Sequence, residues 1–267
     1  MNKLKKFSSS ISDLFRTTSL KYEVEEEQIS IAERYPLHNA SVFGNSVEVE
    51  FLLNSNRNCA NQEDDRGRIP LHYSVQHHST YISQLLIKYG ANVDSIDYTE
   101  ATPAHFAAKE GQVENSCLLL TFGADFCVCD KIGKTAFDVA AEEGHIELIK
   151  FLIKQNCHQT LLSRMEYSET KPINTPLHLA ARNGHVEIVY LLFNAGFPLN
   201  YKTSQGTALH EGVKHGKLQV VRLLLYLGID STAFDSYNLT AEDYGIQVIS
   251  RNPVTAPAIL ELLEGLY

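Results

Sequence analysis

The chain has no tryptophan, two methionines, eight prolines and five cysteines among its 267 residues. It has no run of about 18 apolar residues, the length a helix needs to cross a bilayer. Its first residues lack the apolar stretch and small-residue cleavage site of a secretion signal. Five cysteines are an odd number without framework spacing. That pattern fits reduced thiols and leads us to expect a cytoplasmic protein, with a nuclear setting open. Basic residues are the scarcer charged class, 23 against 32 acidic, so the net charge is −9. An acidic chain is a poor match for phosphate backbones, and no nucleic-acid partner is expected. Missing too are G-x-x-x-x-G-K-[ST], G-x-G-x-x-G after a strand, G-x-S-x-G, H-E-x-x-H and the kinase signature runs. With no catalytic constellation and no cofactor motif, the expectation is a non-enzyme that needs no cofactor.

What is abundant is repetition. Tyr35-Pro36-Leu37-His38 returns as Ile69-Pro70-Leu71-His72, Thr102-Pro103-Ala104-His105, Thr135-Ala136-Phe137-Asp138, Thr175-Pro176-Leu177-His178 and Thr207-Ala208-Leu209-His210. It fades at Thr240-Ala241-Glu242-Asp243. Successive steps are 34, 33, 33, 40, 32 and 33 residues. A period near 33 opening on T-P-L-H is the ankyrin signature, and the chain resembles that family. The resemblance implies an all-α ankyrin-repeat solenoid of about six full repeats plus a C-terminal capping repeat. Residues 1–30 are then a flexible segment, basic then acidic, and residues 31–267 the repeat domain.

The fifth repeat shows the plan most clearly. Thr175 is the expected N-cap, with its hydroxyl on a backbone N–H, and Pro176 fits the first turn. Ala180 and Ala181 are small enough for close helix approach. Gly184 ends the first helix in a left-handed turn. Ile188, Val189, Leu191 and Leu192 face neighbouring repeats, and Gly196 closes the second helix. The histidines of the repeated phrase are expected to steady the turn before each helix. Cys117 is expected on a buried face. Cys127-Val128-Cys129 lacks a second matching pair, so no metal site is expected. The 40-residue step inserts about seven residues between Cys157 and Asn174, a polar stretch holding Pro172 that reads as a surface loop or a contact feature.

Residues 1–21 carry Lys3, Lys5, Lys6, Arg16 and Lys21 against Asp13, a net +4, which leaves −13 for the rest. Leu4, Phe7, Ile11, Leu14 and Phe15 fall at helical spacing there. Two readings stand: a disordered tail, or an amphipathic helix that docks on the first repeat, a partner or an anionic membrane. Membrane contact, if any, would run through residues 1–20. Arg16 lies three residues before Ser19, a basophilic-kinase spacing, so Ser19 is a candidate modification site.

Ankyrin arrays bind through finger tips before each T-P-L-H phrase and through the exposed ends of first helices. Carried over by register, the tips are Asp65, Arg66, Tyr98, Thr99, Lys131, Ile132, Thr203, Ser204, Ser236 and Tyr237. The helix ends are Gln76, His77, Lys109, Glu110, Glu142, Glu143, Arg182, Asn183, Lys214 and His215. Tyr98, Ile132 and Tyr237 stand out as apolar or aromatic side chains on exposed turns. The acidic array suits a protein partner, including a basic or extended peptide segment.

Residues 134–244 resemble a narrower group. Lys134-Thr135-Ala136-Phe137-Asp138-Val139-Ala140, the insertion, Thr175-Pro176-Leu177-His178-Leu179-Ala180-Ala181, Gly206-Thr207-Ala208-Leu209-His210-Glu211 and Tyr237-Asn238-Leu239-Thr240-Ala241 occur in the order found in caskins and related ankyrin-plus-SAM scaffolds. Gly212 departs from that group's usual alanine, and its SH3 and SAM domains are not in this sequence. The resemblance implies an adaptor or scaffold that binds proteins. The alternative is a regulatory or targeting array of a multidomain signalling enzyme, such as a kinase or GTPase regulator.

Overall fold

A computed structural model of the protein describes residues 34–167, 175–248 and 255–265. The expected N-terminal segment and Ser19 lie outside them. Seven helix pairs follow one another along the described chain. They are α1 (Pro36–Val42) with α2 (Ser46–Ser55), α3 (Pro70–Ser74) with α4 (Tyr81–Lys88), and α5 (Pro103–Lys109) with α6 (Val113–Thr121). Next come α7 (Ala136–Glu143) with α8 (Ile146–Lys154), and then a single helix, α9 (Cys157–Tyr167). The array resumes with α10 (Pro176–Asn183) and α11 (Val186–Asn194), then α12 (Ala208–Lys214) and α13 (Leu218–Tyr226). It closes with α14 (Ala241–Val248) and α15 (Ala256–Glu264). Among the described residues there is no strand, only isolated bridges at Cys129–Thr135 and Thr203–Gly206.

Each pair folds for local reasons. Proline in the first turn of α3, α5 and α10 forgoes an N–H that has no helical acceptor there. Gly144 and Gly184 end α7 and α10 at φ 88° and 90°, a region hostile to a Cβ. Space forbids one as well: a Cβ on Gly144 would lie 2.5 Å from the His185 ring of the next repeat.

First helices bury small residues, among them Ala107, Ala108, Ala140, Ala141, Ala180 and Ala181. Second helices bury branched ones, as Leu148, Ile149 and Leu152 in α8 and Ile188, Val189 and Leu192 in α11. Leu191 is half-buried. No single pair can cover these faces alone, so the core runs from repeat to repeat. Each buried leucine or isoleucine adds about 1.5–3 kcal/mol.

Three expectations are corrected. Cys117 is exposed, because α6 turns Asn115, Ser116 and Leu119 inward instead. The insertion begins as helix rather than loop. Leu161 of α9 is buried, and Arg164 donates to the Cys127 carbonyl at 2.6 Å and to Cys129 Sγ at 3.1 Å. The Thr175 hydroxyl pairs at 2.8 Å with His178 Nδ1, not with a backbone N–H.

Candidate functional site

The repeated histidines build the frame beneath the fingers. In His72, His105 and His210 the ring Nδ1 accepts the backbone N–H three residues earlier, each at 3.1 Å. The other nitrogen, Nε2, reaches the next repeat's finger. It pairs with Arg68 O from His38 (2.8 Å), Ala101 O from His72 (3.2 Å) and Lys134 O from His105 (3.0 Å). His178 pairs with Gly206 O (3.1 Å) and His210 with Leu239 O (3.2 Å). An Nε2–H that donates to a carbonyl leaves Nδ1 as the acceptor, so the neutral ring suits both bonds. Burial holds all five below the ordinary imidazole value, His72 and His178 at about 4.

Asp138 occupies this slot in the fourth repeat. Its Oδ2 accepts from Thr135 N (2.9 Å) and Thr135 Oγ1 (2.7 Å), while its buried Oδ1 has no partner. Burial pushes its carboxyl up to about 6, against the pull of the Thr135 bonds.

Four of the five described fingers are tight turns closed by an acidic side chain, a device the sequence reading missed; in the other, Thr203 Oγ1 accepts from Gln205 N at 3.2 Å. Asp64 Oδ1 accepts from the N–H of Arg66 (2.8 Å) and Arg68 (2.9 Å). Asp97, Asp130 and Asp235 make the same pair of bonds two and four residues ahead. The signal was present in the sequence: each of the four stands six residues before position two of the next phrase. Burial alone would push the Asp97 carboxyl up. Bonds from Thr99, Arg68 and the backbone overcome that and hold it below the usual range. The finger of the sixth repeat runs only from Thr203 to Gly206, one residue shorter than Asp235–Leu239. That missing residue accounts for the 32-residue step.

Fingers join edge to edge, at two joins through main-chain atoms and at the last through Ser236 Oγ, which donates to Ser204 O at 2.5 Å. Tyr98 N donates to Arg66 O at 3.0 Å, and Lys131 N to Thr99 O at 2.9 Å. Lys131 Nζ also donates to Tyr98 O. The Tyr98 ring lies over Gly67, where a Cβ would meet it at 2.5 Å. Tyr98, Ile132 and Tyr237 are exposed at the tips, as are Asp65, Arg66, Thr99 and Lys131. Asp65 accepts from Tyr35 Oη at 2.7 Å and faces Arg34 at 3.3 Å.

At the helix ends, Lys109, Glu110, Glu143, Asn183 and His215 are exposed, while Gln76, His77, Glu142, Arg182 and Lys214 are half-buried. The half-buried group contacts the array itself. Gln76 Nε2 donates to His72 O at 2.9 Å, and His77 Nε2 pairs with Ser41 O at 2.9 Å. Glu142 pairs with Lys134, and Arg182 with buried Glu211 at 2.7 Å. Lys214 donates to Gln205 O at 2.8 Å and sits 4.1 Å from the Tyr244 ring centre. The same register applied 34 residues before Gln76 and His77 reaches Val42 and Phe43, both exposed. Sequence reasoning overlooked this apolar pair, although the period alone would have found it.

Among the described residues no group of three or more His, Cys, Asp or Glu is placed to hold a metal, and no helix is long and apolar enough to cross a membrane. The finger-and-helix-pair plan defines a class, the ankyrin arrays. The ankyrin repeat family model matches three times, over residues 13–97, 92–163 and 157–235, and the chain belongs to this family. Among solved structures it is similar to the ankyrin repeat domain of Bcl-3, with TM-score 0.64 and 27% identity over 78% of this chain and 92% of that one. The human ASB11 ankyrin repeat domain shares the fold, with TM-score 0.65 and 23% identity over 78% and 90%. Sequence relatives match over shorter stretches. The probable E3 ubiquitin-protein ligase XBOS33 of Oryza sativa is 40% identical over 70 residues, 26% of this chain and 14% of that protein. The probable 26S proteasome regulatory subunit p28 of Saccharomyces cerevisiae is 38% identical over 66 residues, 25% of this chain and 29% of that protein. The matched stretches thus span less than a third of either relative's length.

Proposed function

We propose that this ankyrin array is an adaptor or scaffold that grips a protein partner across its finger tips and first-helix ends. Ankyrin repeats are a general protein–protein interaction module, and one observation carries the choice of surface. Exposed Tyr98, Ile132 and Tyr237 stand on turns that hydrogen bonds hold in place before any partner arrives. A surface ordered in advance loses little conformational entropy on binding. The caskin-like order of residues 134–244 supports the scaffold reading, as do thiols suited to a reducing, cytoplasmic or nuclear setting. The partner chemistry that fits the acidic array is a protein carrying a basic or extended segment.

Pull-down with the full chain and with its Tyr98→Ala, Tyr237→Ala double variant tests the surface. Partner recovery should fall about tenfold or more, as for loss of interface anchors. Undiminished recovery would sink the choice of face.

A second reading makes the array the targeting part of an enzyme system. What favours it is that three of the relatives, from rice and Arabidopsis thaliana, are named as established or probable E3 ubiquitin-protein ligases. Proximity labelling that recovers chiefly ubiquitin-transfer components would support it over the scaffold reading.

A further inference from the structure

The first repeat presents an uncovered stacking face. Phe43, Val47 and Phe51 lie four residues apart along the α1–α2 turn and α2, and they are 76%, 77% and 69% exposed. In later repeats, side chains at some of the corresponding positions reach the repeat before. Glu110, Glu143 and His215 stand exposed at position 43 of their repeats, while two others there, His77 and Asn183, reach back. His77 pairs with Ser41 O at 2.9 Å, and Asn183 donates to Glu142 O at 2.9 Å, each in the preceding repeat. Position 47 corresponds to Tyr81, Glu114, Glu147, Glu187 and Gln219, all exposed, of which Glu187 lies 3.1 Å from Lys150 of the preceding repeat. Position 51 corresponds to Leu118, Phe151, Leu191 and Leu223, all half-buried and packed on the core. At the first repeat all three positions are apolar, where the third to sixth repeats carry polar groups at two of three.

We propose that the chain's own residues 4–15 cover this face through Leu4, Phe7, Ile11, Leu14 and Phe15, so that the array is capped by its N-terminal segment. Several observations favour that occupant over a foreign one. The described chain starts at Arg34, two residues before α1, so the segment leaves from this same end. The 18 residues between Phe15 and Arg34 reach about 60 Å when extended, so length sets no obstacle. The ankyrin match begins at Asp13 and so takes in Leu14 and Phe15 of this segment. Charge agrees as well: residues 4–15 carry Lys5 and Lys6 against Asp13, and α2 presents Glu48 and Glu50 beside the apolar stripe. A solenoid end must either be polar or be covered, and this one is apolar.

The absence of tryptophan makes the test direct. Val47→Trp in the full chain creates a single emitter on the face. The expected result is blue-shifted emission shielded from acrylamide. Adding Ile11→Asp and Leu14→Asp should move the emission to the red and raise quenching severalfold, with circular dichroism unchanged. Phe51→Trp is read the same way if the first variant does not fold. Red, fully quenched emission in the parent overturns the proposal, and so does shielding that survives both aspartates. Shielding that depends on protein concentration also overturns it, because a second copy would then be the cover.

Discussion

At the scale of single residues, the histidine of each phrase ties its own turn to the finger of the next repeat. The ring is buried neutral, so protonation is penalised in the fold. Its folded value lies below the unfolded one, about 4 against 6.5 for His72 and His178. The unfolded chain therefore binds more protons across that window, and stability is lost as pH falls from about 6.5 toward 4. Inside the window the loss is about 1.4 kcal/mol per pH unit for each such histidine. Urea titrations at stepped pH should show this slope, and His178→Gln should make it shallower. Asp138 acts in the opposite sense. Its folded value is raised to about 6, so its contribution is most favourable in acid and declines as pH rises through 6. Asp138→Asn removes a buried charge, and its amide oxygen can still accept the two Thr135 bonds. We expect a gain of about 1–3 kcal/mol at pH 7 that shrinks toward pH 5. Equal stabilities of the two proteins at pH 7 would contradict this account. The histidine slot was legible in sequence because the period repeats it. Its second bond was not, since the carbonyl it meets lies about 30 residues on and carries no side-chain signal.

Whole elements were harder to read where two patterns competed. The insertion looks like a loop by polarity and by Pro172, yet Leu161, Leu162 and Met165 sit at helical spacing and bring α9 against the array. Arg164 fastens it to the C-x-C stretch. Arg164→Ala should raise amide hydrogen exchange across α9 while leaving α5 and α12 unchanged. Uniform exchange in both proteins would mean the guanidinium does not secure the helix. Cys117 was misplaced for a related reason. Apolar weighting turns α6 so that its cysteine faces inward, whereas the true phase buries Asn115 and Ser116. The register of α11 follows the repeat plan, and Leu192 is fully buried. Leu192→Ala should cost about 2–5 kcal/mol by opening a cavity, read as a lower melting temperature. A shift below about one degree would contradict that packing.

Across the whole molecule, the array is uneven along its length. Where α8, α11 and α13 bury Leu148 and Ile149, Ile188 and Val189, and Val220 and Val221, α6 buries Asn115 and Ser116. Asn115 donates to His77 O at 2.6 Å, but its Oδ1 and the Ser116 hydroxyl have no partner. Ser74 and Ser83 add a buried hydroxyl pair at 2.9 Å in the second repeat. In a linear stack, stability is a sum over neighbouring interfaces, so this polar seam should open first. Hydrogen exchange should be faster in α4 and α6 than in α11 and α13. Ser116→Ile, which restores the apolar residue of later repeats, should slow it. The repeat count and direction of the stack were open to sequence because they depend on spacing alone. This gradient was not, because it depends on which polar atoms find partners across an interface.

The hydrogen bonds that join one finger to the next are largely written in main-chain atoms, Tyr98 N to Arg66 O and Lys131 N to Thr99 O. A peptide group is the same whichever side chain stands above it. At these joins the frame is therefore indifferent to the residues it displays, and tip residues can be exchanged there while the spacing of the tips stays fixed. Changes in what the array recognises can accumulate at those positions without a matching change anywhere in the core.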